Sequence, residues 1–349
     1  MIKEYSNTGR KQYFAAANGY TGFRSLFGEI FKSEDYDRIF VLKGGPGTGK
    51  STLTRRVLSH AEKIGIGCEA IYCSSDPSSL DGAIISKDGV KIAVLDGTSP
   101  HERDAVIPGA VDEIINLADG FDICAMKAER ERITELCKDK KAAYERAYSI
   151  LRSAGSVWDT AFNIFLKSKL YYKAELFAKE LFKDDKKSYL GPFKRKLISS
   201  FSRLGHTHLM PEENATDQLI SIRGDGISEY IVMGLLFDLH YAAVGVQEKY
   251  LSPFSENICD GFCTSSNQYV ITNENASYDV SMIDSHDCPE LVSLLSTHRE
   301  LLSLSSGAFD EASKYHFELE SIYSAHIDFT ENERLLKRIT EYIDSRLGV

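Results

Sequence analysis

The chain has 349 residues, 43% of them hydrophobic and 26% charged, with a formal net charge of −10. That length admits two domains of ordinary size, and the composition is that of a globular chain. The acidic balance argues against broad nucleic-acid binding. The N-terminal MIKEYSNTGRKQYFAAANGY lacks the apolar core of a signal peptide, and the longest apolar stretch, residues 231–246, is too short to span a bilayer and carries Asp238 and His240. No membrane partner and a cytoplasmic location are expected. The seven cysteines are odd in number and form no CxxC pair, so they read as reduced thiols.

In chain order, residues 12–16 are the first strand-like run. Residues 39–42 form a short apolar run with the length and flanks of a buried parallel strand. Gly44-x-x-x-x-Gly49-Lys50-Ser51 then matches the phosphate-loop pattern, and an amphipathic run follows with Leu53, Val57, Leu58 and Ala61 on one face. By average residue usage the pattern arises in roughly one chain of this length in a hundred. The spacing has physical causes. Backbone N–H groups from Gly45, Pro46 excepted, through Gly47, Thr48, Gly49, Lys50, Ser51 and Thr52 must turn toward phosphate oxygens, so side chains must be absent where they would collide. Lys50 serves the β- and γ-phosphates, Ser51 offers a hydroxyl to Mg²⁺, and the helix dipole adds its positive end.

Residues 68–73 are strand-like, and Asp76 falls just past them, at the edge where parallel sheets bind ligands. Asp76 is read as a general base on water or on a substrate hydroxyl; the plainer reading is a turn cap before Pro77. Residues 90–95 form a second buried strand ending in Asp96, expected to hold Mg²⁺. No Glu follows it. Residues 122–188 read as an antiparallel helical arm: one helix carries the stripe Ala142, Ala143, Ala147, Ile150, Leu151 and Ala154, and a second runs from about 158 to 182. Arg130 and Arg132 are candidates to contact a transferring phosphate, against ordinary surface pairing. Residues 167–196 carry ten lysines or arginines against four acids, a solvated face or an anionic contact. Gly191-Pro192 is the boundary signal, dividing a module at 1–191 from one at 192–349. Beyond it, His206-x-His208 with Glu212 and Glu213 is a weak metal pattern, Asp284, His286 and Cys288 stand too close together for a triad, and helical runs near 289–305, 308–327 and 331–346 close the chain.

FVLKGGPGTGKST, CSSDPSSLDG and VLDGTSPH with PGAVDEIINL resemble a bacterial family of duplicated P-loop ATP-binding proteins, within the P-loop NTPase superfamily. The resemblance covers most of the chain. It implies an α/β fold of two tandem P-loop modules, each a parallel sheet flanked by helices with a helical appendage. It also implies ATP binding, with no assigned reaction. A repeat is visible without the family. Leu42-Lys43-Gly44 matches Ile222-Arg223-Gly224, Gly65 matches Gly245, and Tyr72 matches Tyr250 after a two-residue slip. Asp81-Gly82 matches Asp260-Gly261, residues 93–96 match 270–273, and Glu113-Ile114 matches Glu290-Leu291. The second copy replaces Gly49, Lys50 and Ser51 by Glu229, Tyr230 and Ile231, Asp96 by Asn273, Asp76 by Phe254 or Ser255, and His101 by Asp279. Asp81-Gly82 persists in both and reads as a fold residue pair. Residues 221–236 therefore read as a phosphate loop without its chemistry. One Mg²⁺-dependent ATP site is expected, with Lys50, Asp76 and Asp96 catalytic. The alternatives are a small-molecule kinase with Asp76 as base, and an ATP-sensing scaffold whose arms meet a partner.

Overall fold

The computed structural model describes residues 10–182, 191–212, 219–224, 226–256, 258–273, 276–280 and 288–348. The chain begins with β1 (Lys11–Phe14), the hairpin β2 (Ala16–Gly19) and β3 (Gly22–Ser25), the short helix α1 (Phe27–Ile30) and β4 (Arg38–Lys43). Then come α2 (Lys50–Lys63), β5 (Gly67–Tyr72), β6 (Leu80–Lys87), β7 (Val90–Asp96), β8 (Asp112–Asn116), α3 (Ile123–Ala128), α4 (Arg130–Leu166) and α5 (Lys169–Leu181). The remainder holds β9 (Lys194–Leu197), β10 (Ser199–Ser202), β11 (Gly205–His208), β12 (Leu219–Arg223), α6 (Ser228–Ala243) and β13 (Val246–Leu251). It ends with β14 (Cys259–Thr264), β15 (Tyr269–Thr272), β16 (Tyr278–Asp279), α7 (Pro289–Ala325) and α8 (Thr330–Leu347).

Compactness divides the chain differently from the boundary signal at Gly191-Pro192. One unit takes the described residues of 1–16, 25–146 and 308–349; the other takes those of 17–24 and 147–307. In the first unit the strand order is β1-β5-β6-β7-β4-β8. β1 runs parallel to β5, and β4 runs parallel to both β7 and β8, while β6 is antiparallel to β5 and β7. The sheet is therefore mixed, where a parallel one was expected. The cause is local. Asp88 and Gly89 both have positive φ, 51° and 86°, and close a two-residue hairpin between β6 and β7, a connection only antiparallel neighbours can make.

The second unit has the order β9-β13-β14-β15-β12-β16 with the same sequence of parallel and antiparallel pairings. Each strand of one unit's sheet thus has a counterpart in the other's, and two short hairpins, β2/β3 and β10/β11, both fall mainly in the second unit.

Apolar burial explains the helices. α2 buries Leu53, Val57, Leu58 and Ala61, the face expected from the sequence. In the same core lie Phe40, Leu42, Ile85, Ile92 and Val94 from the sheet, and Ile339, Ile343 and Leu347 from α8. These last three are spaced by four, one stripe of an amphipathic helix. In the second unit α5 presents Leu170, Ala174, Ala178 and Leu181, spaced by four, four and three, and packs along α6. α6 buries Tyr230, Ile231, Val232, Met233, Leu236, Phe237 and His240, so the apolar stretch is a core helix. Among the described residues no helix is long and apolar enough to cross a membrane.

Two helix boundaries differ from expectation. α4 continues unbroken through Trp158 to Leu166, and the break comes at Ser168, whose hydroxyl accepts from the Leu170 amide at 3.1 Å and caps α5. α7 likewise runs through Gly307. A glycine inside a helix costs only about 1 kcal/mol, which packing along a long helix readily offsets.

Candidate functional site

The first unit brings several elements to one sheet edge. β4, β5, β7 and β8 end there, and antiparallel β6 begins there, as the pairings Leu42 with Asp96 and Tyr72 with Leu80 require. The six residues between β4 and α2 are the glycine-rich loop, with Gly45, Pro46, Gly47, Thr48 and Gly49 in the loop and Lys50, Ser51 and Thr52 in the first turn of α2. Gly47 and Gly49 have φ of 73° and 87°. A Cβ on Gly47 would sit 2.5 Å from the Glu320 carbonyl oxygen, and one on Gly49 would sit 2.6 Å from Asn332 Nδ2. Both glycines are therefore needed twice, for backbone conformation and for the approach of α7 and α8. Thr48 is fully buried and its hydroxyl donates to the Gly45 carbonyl at 2.9 Å, bracing the loop.

Lys50 Nζ donates to the Gly44 and Gly45 carbonyls at 2.9 and 2.7 Å and lies 3.7 Å from Asp96 Oδ2. The ammonium thus stands inside the loop, held by two of the loop's own carbonyls. Asp96 is oriented by Thr98, whose amide and hydroxyl both donate to Oδ1 at 2.8 and 2.6 Å. Ser51 Oγ accepts from the Leu80 amide at 2.9 Å, which ties α2 to the start of β6.

The next residue, Asp81, is the one that sequence reading assigned to the fold alone. It is buried, and one ligand atom each from Asp81, Asp96 and His101 lies within 4.8 Å of the others. His101 Nε2 is 3.7 Å from Asp81 Oδ2, and its ring stacks on Phe27 with centroids 4.6 Å apart. Burial pushes the Asp81 carboxyl up to about 6, against the opposing pull of His101. The loop carrying His101 is held by Asp112, whose carboxylate accepts from the Ser33 hydroxyl, Arg103 and the amides of Val106 and Ile107. The signal for Asp81 is the Asp88-Gly89 turn, which reverses the chain after β6 and so sets the start of that strand, with Asp81, at this edge.

The donor set suits Mg²⁺. The grouped carboxylates of Asp96 and Asp81 offer hard oxygen donors of the type that ion takes. His101 alone adds nitrogen.

Asp76 lies in the turn after β5. Its Oδ1 accepts from the Ser78 amide at 3.3 Å and the Ser78 hydroxyl at 2.8 Å, the geometry of a turn cap. Arg132 pairs with Glu135 along α4 and with Glu318 across on α7, so its surface pairing is only partly within its own helix. Two side chains not singled out from sequence face this region from the long helices. Glu320 on α7 is held below the usual carboxylate range by a hydrogen bond from His316, with Lys50 and Lys140 adding to the effect. Lys140 on α4 is pushed down by burial.

The second unit carries the counterpart loop in altered form. As many residues join Ile222 to Gly245 as join Leu42 to Gly65, but α6 starts earlier, which leaves four residues between strand and helix. The Glu229 carboxylate folds back and accepts from the Gly226 amide at 3.1 Å through either oxygen. Any Cβ on Gly224 would collide with it. The loop thus holds its own anion. Tyr230 stands at the place of Lys50, buried against Trp158 and Phe254, and shares a hydrogen bond with the Thr272 side chain.

Thr272 corrects the repeat as read from sequence. Gly82 pairs with Leu95 and Gly261 with Ile271, and Leu42 pairs with Asp96 as Ile222 does with Thr272. The counterpart of Asp96 is therefore Thr272 and not Asn273. A Lys50–Asp96 ion pair in one unit corresponds to a Tyr230–Thr272 hydrogen bond in the other. By the same registers Tyr72 corresponds to Leu251, Asp76 to Ser255, and Asp279 to Asn116 in place of His101. Glu290 opens α7 and has no relation to Glu113 on β8.

Asp81 has a true counterpart in Asp260. That carboxyl is fully buried, accepts from Ser199 Oγ and Ser252, and is pushed up to about 7 by burial. A carboxyl raised above its unfolded value stabilises fully below about pH 4 and loses that contribution as pH rises through 7. Wild type is therefore expected to lose stability relative to Asp260→Asn between pH 4 and 8, by roughly 4 kcal/mol at most. Urea melts of both proteins across that range measure the difference, and a pH-independent difference would contradict the buried charge.

His206 and His208 lie in an aromatic cluster with Phe201 and Phe254. Glu213, Asp284 and His286 lie outside the described residues, as do residues 183–190 of the basic segment. Among the described residues the Asp81–Asp96–His101 group is the one set of three close ligating side chains. The seven cysteines are free. Comparisons of the chain with protein-family models, with curated proteins and with solved structures each return no match.

Proposed function

We propose that the chain binds ATP with Mg²⁺ at a single site in the first unit and hydrolyses it there. The observation that carries this reading is the placement of Lys50 inside the glycine-rich loop, 3.7 Å from Asp96, with buried Asp81 and His101 beyond it. In this reading Lys50 and the amides from Gly45 to Thr52 grip the phosphates. Asp96 and Ser51 hold Mg²⁺, which supplies charge neutralisation on the β- and γ-oxygens. Asp81, paired with His101, takes the water-orienting role first given to Asp76, because Asp76 is engaged by Ser78. The two units are read as tandem P-loop modules, supported by their shared strand order. In the second, Glu229 occupies the anion position and Tyr230 replaces the lysine, so that loop serves as scaffold.

Calorimetry on the full chain with MgATP is expected to give one nucleotide per chain, and phosphate release is expected without an added acceptor. A stoichiometry of two would overturn the scaffold reading of the second loop. Turnover only in the presence of a hydroxyl-bearing metabolite would make the protein a kinase, and tight binding without turnover in either condition would make it a sensor.

A further inference from the structure

A cleft of about 210 Å³ opens beside the phosphate loop, within the first unit. One wall is Gly49, Thr52, Leu53 and Arg56 from the loop's last residue and the first two turns of α2; the other is Phe329, Asn332, Glu333 and Leu336 from the start of α8. Drug-sized ligands occupy roughly 300–1,000 Å³. This cleft therefore has the scale of one heterocycle and not of a whole nucleotide. Its position follows the expected path of a nucleotide: the triphosphate ends at the helix start near Thr52, and Arg56 lies one turn, about 6 Å, further along α2.

The lining has the character of a base site. Phe329 is 41% exposed, yet its ring comes within 3.4 Å of where a Cβ on Gly49 would stand. The turn that carries it is rigidly tied. The Asp328 amide donates to the Gly120 carbonyl at 2.9 Å, the Asp122 amide to the His326 carbonyl at 2.9 Å, and Ile327 bridges Phe121. Asn332 Nδ2 donates to the Thr48 carbonyl at 3.0 Å, which fixes the first turn of α8 to the loop itself. Leu53 and Leu336 supply apolar floor, and at the rim Arg56 pairs with Glu333, 2.9 Å from Nη2 to Oε2. That pair offers both a donor and an acceptor to the polar edge of a ring.

We infer that this cleft takes the purine base of the bound nucleoside triphosphate, stacked on Phe329, with Arg56 and Glu333 facing its polar edge. The inference rests on the phosphate-loop reading above and adds to it the ligand's other end. Stacking on an aromatic side chain is sequence-tolerant and its loss costs a base about tenfold or more in affinity.

The test compares MgATP with magnesium tripolyphosphate, which has the phosphates and no base, by calorimetry on the full chain. Phe329→Ala is expected to weaken ATP about tenfold and to leave tripolyphosphate unchanged within about twofold, while Phe329→Trp restores ATP binding. Unchanged ATP affinity in Phe329→Ala, or parallel loss of both ligands, would overturn the assignment. Wild type binding the two ligands equally would leave the phosphate loop standing and remove the base site. Wild type binding neither would overturn the phosphate-loop reading itself, and the base site with it.

Discussion

Lys50→Ala is expected to lower the affinity for MgATP by about 10- to 150-fold, the range set by loss of one charged hydrogen-bonding partner. The reasoning is one of exchange. In the free protein the ammonium is satisfied by two loop carbonyls and lies near Asp96. Its removal leaves those carbonyls short of a donor and the carboxylate short of a cation, so part of the loss falls on the fold. Calorimetry and a thermal melt on the same sample separate the two: lost heat of binding with a melting point near wild type assigns the lysine to the ligand. An unchanged binding isotherm would remove the glycine-rich loop from the function.

Asp81→Asn is expected to lower steady-state phosphate release by about 100-fold or more, with ATP affinity changed less than about threefold, since a positioned base contributes roughly 10²–10⁴ to rate. Asp76→Asn is expected to stay within about threefold of wild type in both quantities. The contrast follows from geometry. Asp81 is buried beside Asp96 and His101, whereas the Asp76 carboxylate caps its own turn. Asp260 makes the experiment demanding, because an acid occupies the same register in a unit where Tyr230 and Thr272 stand in the places of Lys50 and Asp96. Unchanged turnover in Asp81→Asn would assign both acids to the fold, and a large loss in Asp76→Asn alone would return the role to the turn.

The glycine-rich loop, the strand before it, the helix after it and Asp96 were legible because each depends on local rules. A phosphate loop needs glycines at set positions, and a buried strand needs a short apolar run. The second loop was also legible as altered, through Glu229 and Tyr230, though its filling by the Glu229 carboxylate is a fact of side-chain position. Where the linear match failed, it failed by register. Asp96 matched to Asn273 because the apolar runs align that way, whereas hydrogen-bond pairing gives Thr272. β15 is buried along its whole length, so its apolar character does not mark the register, and a shift of one residue changes every partner.

By itself the sequence determined an α/β chain with two related halves, one carrying a glycine-rich loop with Lys50 and Ser51 and the other an altered loop with Glu229 and Tyr230. These follow from periodicity and from the short list of residues that a tight loop admits. Only the tertiary structure decided that Asp81, at the start of β6, meets Asp96 and His101. It alone decided that α8, from the far end of the chain, packs on α2 and sets Phe329 and Asn332 against the loop. Strand order and helix docking are settled by which apolar faces bury one another across hundreds of residues. No window of sequence contains that choice.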